Sequence, residues 1–138
     1  MVGGLLVDAG PLVALFNRRD RHHARCVEVA KSLRGTLCTT WAPLVEAMHL
    51  LAFSATAQFG LLQMLEREAL RVLPLGVDDV GPIRQLMGKY ADLPMDFADA
   101  TLVRVAGRDG YSVVFTLDQR DFSVYRRPDG TPLRVVPE

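Results

Sequence analysis

The sequence predicts an α/β fold in which helices cover both faces of a parallel sheet. Short apolar runs rich in β-branched residues alternate along the chain with amphipathic segments, often two between consecutive runs. Hydrophobic residues make up 49% of the chain and charged residues 23%, as in a soluble globular protein. The length of 138 residues fits one domain, which we predict to span residues 1–138.

The amino-terminal half contains two predicted strands and three predicted helices. The first strand, GLLV, leads through a turn into an apolar helix, because Pro11 suits a first helical turn. A basic loop, RRDRHH, separates it from a helix near His22 to Leu33, which Gly35 ends. The second strand is TLCTT, and Thr39 or Thr40 is expected to cap the helix APLVEAMHLLAF.

The middle of the chain contains a helix and a weaker strand. The helix near Thr56 to Glu68 is expected to turn Phe59, Leu62 and Leu65 inward. RVLPL is the weaker strand, because Pro74 confines it to an edge or an end of the sheet.

Two helices and two strands complete the prediction. One helix starts at Asp78 or Asp79 and runs to about Tyr90. The segment PMDFADATLVRVAGRDGYSVVFTLDQRDF then predicts a helix, a turn at its glycines and the strand SVVFT. A turn at 128–130 precedes the last strand, LRVV.

The formal net charge of zero argues against a grip on nucleic acid by bulk electrostatic attraction. Arginine nevertheless accounts for 14 of the 16 basic residues, and its planar guanidinium suits phosphate. The arginines cluster twice: Arg18, Arg19 and Arg21 beside two histidines, and Arg120, Arg126 and Arg127. Each cluster is either a phosphate-binding surface or a set of solvated loop residues, and the sequence leaves both open.

The sequence predicts a cytoplasmic protein that does not enter a membrane. No apolar stretch approaches the ~18 residues that cross a bilayer, and the amino terminus has no basic leader. Cys26 and Cys38 form no CxxC pair and are expected to be buried thiols in a reducing compartment.

Four acidic residues occur where a parallel sheet would gather them. Asp8 and Asp118 follow apolar strands, Glu46 lies about one turn into the helix after a strand, and Asp99 occupies the first turn of its helix. Strand ends in a parallel sheet face one way, and ligands bind there. Carboxylates in one cleft repel one another unless a cation compensates. The all-oxygen set therefore predicts a site for Mg²⁺ or Mn²⁺.

Individual acids have structural alternatives. Asp8 and Asp96 suit helix N-caps, and capping suffices to explain Asp96. Glu46 lies in a helix that is apolar nearly all round, where an ionised carboxylate needs a cation or strong hydrogen-bond donors nearby. Asp99 shares the inward face of its helix, and Asp121 either binds metal through water or caps a turn.

The chemistry expected of such a site is metal-assisted attack of water on a phosphodiester. The sequence indicates no serine or cysteine nucleophile. A phosphoryl-transfer fold with a nucleophilic aspartate is disfavoured, because Gly10 occupies the place of its second acid and no lysine follows Lys89. The missing lysine also disfavours a phosphoacceptor receiver domain.

Four segments, spread over nearly the whole chain, resemble the PIN domain family: LLVDAGPLVALF, TTWAPLVEAMHLL, MDFADATLVRVA and VFTLDQRDF. The last, with an acid in T-x-D-x-x-D-F after a strand, is the most specific. The resemblance implies a three-layer α/β/α domain with a mainly parallel sheet of about five strands. It also implies a Mg²⁺- or Mn²⁺-dependent endoribonuclease that forms a homodimer. Many small members are the toxin of a VapBC-type pair, which implies an RNA substrate and an antitoxin partner.

The resemblance also implies roles for particular residues. The family's four acidic positions, expected to be catalytic and metal-binding, are matched by Asp8, Glu46, Asp99 and Asp118. Accessory acids are matched by Asp96, which we include in the metal set, and Asp121. The candidates for RNA contact are Thr116, which matches a hydroxyl residue of the family, and Arg18, Arg19, Arg21, Arg120 and Arg126.

One residue departs from the family pattern. Gly10 stands where the family often has serine or threonine two residues after the first aspartate. The missing hydroxyl leaves open a second function, a catalytically degenerate PIN fold that acts as an RNA- or protein-binding module.

Overall fold

The computed structural model describes residues 4–138 and contains a five-stranded, entirely parallel sheet. The strands are β1 (Gly4–Val7), β2 (Thr36–Thr39), β3 (Leu70–Val72), β4 (Val113–Phe115) and β5 (Arg134–Val136). Their order across the sheet is β3-β2-β1-β4-β5. The predicted fold class is confirmed. Residues 1–3, on which the expectation of no leader partly rests, lie outside the described residues.

Seven α-helices and a short 3-10 helix, Val77–Asp79, are present within residues 4–138. The α-helices are α1 (Ala9–Phe16), α2 (His23–Ser32), α3 (Trp41–Leu50), α4 (Ala55–Glu66), α5 (Val80–Lys89), α6 (Phe97–Asp109) and α7 (Gln119–Val124). The sequence did not predict α7. Its six residues are too few to show a helical period.

The central strand divides the core into two layers, because its successive side chains point to opposite faces. Leu6 joins a buried cluster that contains residues of α5, α6 and α7. Leu5 and Val7 join a second cluster, built with residues of α1 to α4. The sheet is therefore covered on both faces, as predicted.

The inward face of α4 differs from the prediction. Phe59 and Leu62 are 66% and 40% exposed, and Leu65 is half-buried, whereas Leu61 is fully buried. A Cβ atom on Gly60 would lie only 3.0 Å from the aromatic ring of the last residue of α1. Close approach of α1 and α4 at Gly60 therefore accompanies an inward face made of Ala57 and Leu61, with Phe59 left outside.

Two local predictions, on β3 and on the cysteines, are confirmed. β3 is an edge strand and ends before Pro74. Cys26 and Cys38 are free, buried thiols. Among the described residues, no helix combines the length and apolar character needed to cross a membrane.

Candidate metal centre

An open cleft of about 450 Å³ lies at the carboxyl end of the sheet and is lined by acids. Its acidic residues are Asp8, Glu46, Asp96, Asp99 and Asp118. They come from four segments: the ends of β1 and β4, the middle of α3 and the start of α6. The structure thus brings together all five acids that the sequence singled out for metal binding.

Asp8 combines a capping position with a place in the cleft. It is the N-cap of α1, and its Oδ1 accepts a hydrogen bond from the Ala9 backbone N–H at 2.8 Å. Its Oδ2 accepts one from the Thr116 hydroxyl at 3.1 Å. Burial nevertheless raises the pKa of Asp8 to about 6, and the charges of Glu46 and Asp96 act in the same direction.

Asp99 is the most perturbed carboxyl group of the cleft. It is buried, and burial raises its pKa far above the ordinary range, with further contributions from the charges of Asp8 and Asp96. Its Oδ2 accepts a hydrogen bond from the Tyr125 hydroxyl at 3.1 Å. Burial and the Asp99 charge raise the pKa of Tyr125, so its hydroxyl stays a donor. The sequence offered no signal for Tyr125, because the unpredicted helix α7 directs it toward Asp99.

Two other acids of the cleft are helix caps. Asp96 is the N-cap of α6, and its Oδ1 accepts the Asp99 backbone N–H at 2.8 Å, which confirms the predicted cap. Asp118 is the N-cap of α7, and its Oδ1 accepts the Asp121 N–H at 3.4 Å. Burial raises the pKa of Asp118, and the neighbouring charge of Asp121 adds to the shift.

The tightest group of carboxylates consists of Asp99, Asp118 and Asp121. One oxygen from each lies within 4.8 Å of the others. The sequence left two roles open for Asp121, binding of metal through water or capping of a turn. This distance favours the role next to a metal. Several converging carboxylate oxygens are what Mg²⁺ and Mn²⁺ sites require.

Thr116 is a positioning residue of the cleft, and its location argues against the predicted contact with RNA. Its side chain is fully buried. The hydroxyl donates to Asp8 Oδ2 and accepts the Asp118 backbone N–H at 2.9 Å. It thereby ties the ends of β1 and β4 together beneath the cleft.

Glu46 lines the cleft, as its place about one turn after a strand predicted, but the second argument, that its helix is apolar nearly all round and buried, was wrong. Glu46 is exposed, because α3 buries only one side and leaves Trp41 and Val45 64% and 67% exposed. Partial burial and the charge of Asp96 raise the pKa of Glu46. Glu46 belongs with the other acids because it lines the same cleft, and not because its surroundings are apolar.

A buried pair of hydroxyl groups holds α3 against α6. Thr40 is the N-cap of α3 but makes no capping hydrogen bond with its side chain. Its Oγ1 instead lies 2.7 Å from Thr101 Oγ1 on α6. The predicted cap is therefore replaced by a contact that joins the helices carrying Glu46 and Asp99.

The basic residues predicted to contact RNA lie outside the cleft. Arg18, Arg19 and Arg21 are exposed in the loop between α1 and α2, and Arg120 is exposed on α7. Arg126 has a structural role, since its Nη1 donates to three backbone carbonyls at the end of α7, those of Ser123, Val124 and Tyr125.

The residues of the cleft fit a divalent cation. Within residues 4–138, no basic nitrogen lies within the 4.0 Å of an ion pair from the carboxylates that line it. Asp8 and Asp99 are nevertheless buried side by side with raised pKa values. Ionised carboxylates in this arrangement need a compensating positive charge.

Solved structures of other proteins have the same fold at low sequence identity. VapC20 of Mycobacterium tuberculosis, a sarcin-ricin loop cleaving toxin, superposes with a TM-score of 0.76 and 19% identity, over 84% of this chain and 91% of that chain. VapBC2 of Rickettsia felis, bound to a promoter DNA fragment, gives 0.63 and 14%, over 96% of each chain. DNA-bound VapBC of Salmonella typhimurium gives 0.62 and 20%, over 96% of this chain and 97% of that chain.

The family itself is evident from the sequence. No curated protein matches the chain at a significant level. The family model of the PIN domain matches residues 5–128, which include every acid of the cleft. The chain therefore belongs to the PIN domain family.

Proposed function

We propose that the protein is a Mg²⁺- or Mn²⁺-dependent endoribonuclease that hydrolyses RNA phosphodiester bonds. The observation that carries this proposal is the cleft of five carboxylates without a basic partner among the described residues. A protein keeps such a group only if a cation stabilises it or if some groups stay protonated. Membership of the PIN domain family supports the first explanation.

The residues of this site have three different roles: holding the ion, orienting the carboxylates and binding the RNA backbone. Asp99, Asp118 and Asp121 would hold the ion, with Asp8, Glu46 and Asp96 around it. A bound divalent cation supplies an activated water and stabilises the developing charge on phosphate oxygens. The Thr116 hydroxyl donates a hydrogen bond to Asp8, and the Tyr125 hydroxyl donates one to Asp99. These hydrogen bonds would fix the orientation of the two buried carboxylates at the metal site. Arg18, Arg19, Arg21 and Arg120 are candidates for binding the RNA backbone.

We further propose that the protein is the toxin of a toxin–antitoxin pair in the cytoplasm. The similarity of its fold to VapC20 and to VapBC complexes supports this role. A homodimer is supported by large apolar side chains exposed on and beside α3 and α4: Trp41, Val45, Phe53 and Phe59.

The test is cleavage of RNA by matched variants. Asp8→Asn removes a cleft carboxylate and should abolish cleavage, whereas Asp78→Asn changes an exposed aspartate of the 3-10 helix and should not. Both proteins should keep the circular dichroism spectrum of the wild type. Wild-type cleavage that persists in excess EDTA would contradict the proposal.

The alternative is a catalytically degenerate PIN fold that binds RNA or protein. Gly10, which lines the cleft without a hydroxyl, is the observation that favours it. Isothermal titration with Mn²⁺ separates the two functions. A degenerate site should give no heat of binding, whereas the nuclease should bind Mn²⁺ and lose this binding in Asp99→Asn.

A further inference from the structure

Two adjacent threonines, Thr39 and Thr40, lie at the carboxyl end of β2, and the proposed reaction does not use their hydroxyl groups. Both side chains are completely buried. Thr40 is the N-cap of α3, yet its side chain makes no capping hydrogen bond. A buried hydroxyl group is costly unless it is hydrogen-bonded, so the partners of both groups indicate what they do.

Thr39 holds the peptide group that precedes Asp8. Its Oγ1 donates a hydrogen bond to the backbone carbonyl of Val7 at 2.8 Å. The N–H of the same peptide group, which belongs to Asp8, donates to the Phe115 carbonyl at 2.9 Å. The peptide group is planar and bonded at both ends, so it cannot turn without breaking a hydrogen bond. The backbone therefore fixes the direction in which the Asp8 side chain leaves the chain.

The peptide group that precedes Asp99 is held in the same manner. The Thr101 hydroxyl donates to the Ala98 carbonyl at 2.7 Å. The Asp99 N–H donates to Asp96 Oδ1 at 2.8 Å. The single proton of the Thr101 hydroxyl is thereby used, so Thr40 is the donor in the 2.7 Å contact between the two hydroxyl groups. Thr40 thus acts on the peptide group before Asp99 through Thr101.

The contact between the two hydroxyl groups goes beyond a local helix feature. A hydroxyl that bonds to a carbonyl of its own helix is common. Thr101, however, also accepts a hydrogen bond from the end of β2, which ties the first turns of α6 to the sheet. Two consecutive residues of β2 are therefore connected to the backbone before both buried aspartates of the cleft.

The two aspartates need such support because they repel each other. Asp8 and Asp99 are buried, and the charge of Asp8 acts on Asp99. Ionised carboxylates in this arrangement push apart until a cation compensates their charge. A metal site also requires its ligands within about 0.5 Å of the productive geometry. The backbone that carries them must therefore resist displacement before the ion arrives.

We propose that Thr39 and Thr40 are positioning residues that set the separation of Asp8 and Asp99 by holding the peptide groups before them. The inference rests on the proposed function, which places a divalent cation at these carboxylates. Other hydroxyl groups orient the carboxylates themselves. The two threonines act instead on the backbone from which these side chains extend.

The test compares an isosteric change with a conservative one at each position. Thr39→Val and Thr40→Val keep the branched shape and lose the hydroxyl, whereas Thr39→Ser and Thr40→Ser keep the hydroxyl and should behave like the wild type. Tyr111→Phe is the matched control. The Tyr111 hydroxyl is buried 3.5 Å from the Sγ of Cys38, also on β2, but neither residue lines the acidic cleft.

The first measurement is amide hydrogen exchange of the metal-free protein, followed by NMR in EDTA. Exchange of the Asp8 N–H should become about threefold faster or more in Thr39→Val, because local opening is easier once a hydrogen bond is lost. Thr40→Val should have the same effect on the Asp99 N–H. Each serine variant should restore protection, and Tyr111→Phe should change neither amide. A purely structural role would instead speed exchange evenly across the sheet.

The second measurement is Mn²⁺ affinity by isothermal titration. Loss of either hydroxyl should weaken binding about three- to tenfold, at or below the lower limit for groups that bond a metal ligand directly. The serine variants and Tyr111→Phe should bind Mn²⁺ like the wild type. A variant that is only less stable would bind Mn²⁺ with unchanged affinity per folded molecule.

The outcomes separate this inference from the proposed function. If the wild type binds no Mn²⁺, the proposed function fails, and amide exchange alone decides whether the threonines position the two aspartates. Wild-type Mn²⁺ affinity in both valine variants, or faster exchange spread evenly over the sheet, would overturn the inference. Should a valine variant fail to fold, Thr39→Ala and Thr101→Val remove the same hydrogen bonds and are expected to give the same changes.

Discussion

Two buried aspartates, Asp99 in α6 and Asp79 packed against α6, have opposite environments. Asp79 accepts hydrogen bonds from the Gly76 backbone N–H at 2.8 Å, from Arg104 Nε at 2.8 Å and from Arg108 Nη1 at 3.1 Å. These donors lower the pKa of Asp79 to about 2, the Gly76 N–H most strongly. Asp99 accepts the Tyr125 hydroxyl and has other carboxylates as neighbours, so its pKa is raised.

The difference indicates which of the two acids is structural. Asp79 has its charge neutralised by the fold, since two arginines of α6 surround it and join the 3-10 helix to α6. Asp99 has no such partner among the described residues, so its carboxyl group stays protonated unless a cation from outside the chain compensates its charge. Burial by itself does not distinguish the two, whereas the hydrogen-bond partners do.

The largest expected effect is on catalysis. Asp99→Asn should lower the rate of RNA cleavage about 100-fold or more, because it removes a metal ligand from the proposed site. Asp79→Asn should lower the melting temperature, since Arg104 and Arg108 lose their partner. Its activity per folded molecule should remain that of the wild type. Equal losses of activity per folded molecule in the two variants would contradict the assignment of Asp79 as structural and Asp99 as functional.

Tyr125→Phe should have a smaller effect on metal binding. The change removes the hydroxyl that orients Asp99, so we expect roughly tenfold weaker Mn²⁺ binding and about 1 kcal/mol less free energy of unfolding. Tyr90→Phe is the control, because the Tyr90 hydroxyl accepts the Arg126 backbone N–H and its ring packs on Tyr125. Isothermal titration should show unchanged Mn²⁺ affinity in the control.

The free energy of unfolding of the metal-free protein should depend on pH because of the buried carboxyl groups of the cleft. The folded pKa values of Asp8 and Asp99 are raised above the ordinary 3.8, so the folded state keeps protons that the unfolded chain releases. The free energy of unfolding should therefore fall as the pH rises from about 4 to about 8. Saturating Mn²⁺ should remove this fall, as measured by urea denaturation at both ends of the range.

Asp79 should contribute with the opposite sign. Its folded pKa of about 2 lies below the ordinary 3.8, so its stabilisation is complete above about pH 4 and is lost as the pH falls toward 2. Asp79→Asn should reduce the loss of stability in acid and leave the fall between pH 4 and 8 unchanged. A metal-free protein whose stability rises between pH 4 and 8 would contradict the environment described for Asp99.

Gly10→Ala should have the smallest effect. A Cβ atom at this position would meet Leu117 at 3.4 Å, an ordinary contact, and alanine favours the helix over glycine by roughly 0.5 kcal/mol. Gly10→Ser should fold equally well and leave cleavage unchanged, because Thr116 already supplies a hydroxyl to Asp8. A large gain of activity in Gly10→Ser would show that the missing hydroxyl impairs the site.

The sequence predicted the location of the acids better than their surroundings. Asp8 and Asp118 were found from their places after apolar strands, and both line the cleft. Glu46 was found from its place about one turn after a strand, whereas the supporting argument from a buried, all-apolar helix was wrong, since the helix is exposed on one side. Tyr125 carried no signal, because a six-residue helix decides where it points.

The sequence by itself determined the alternation of strands and helices, and with it the gathering of acids at one end of a parallel sheet. These features follow from local patterns, because side-chain periodicity and strand direction are set within a few residues. Only the tertiary structure decided that Asp79 is paired with arginines while Asp99 is not, and that Thr39 holds the peptide group before Asp8. Such relations depend on how distant segments pack, and a local pattern does not contain those distances.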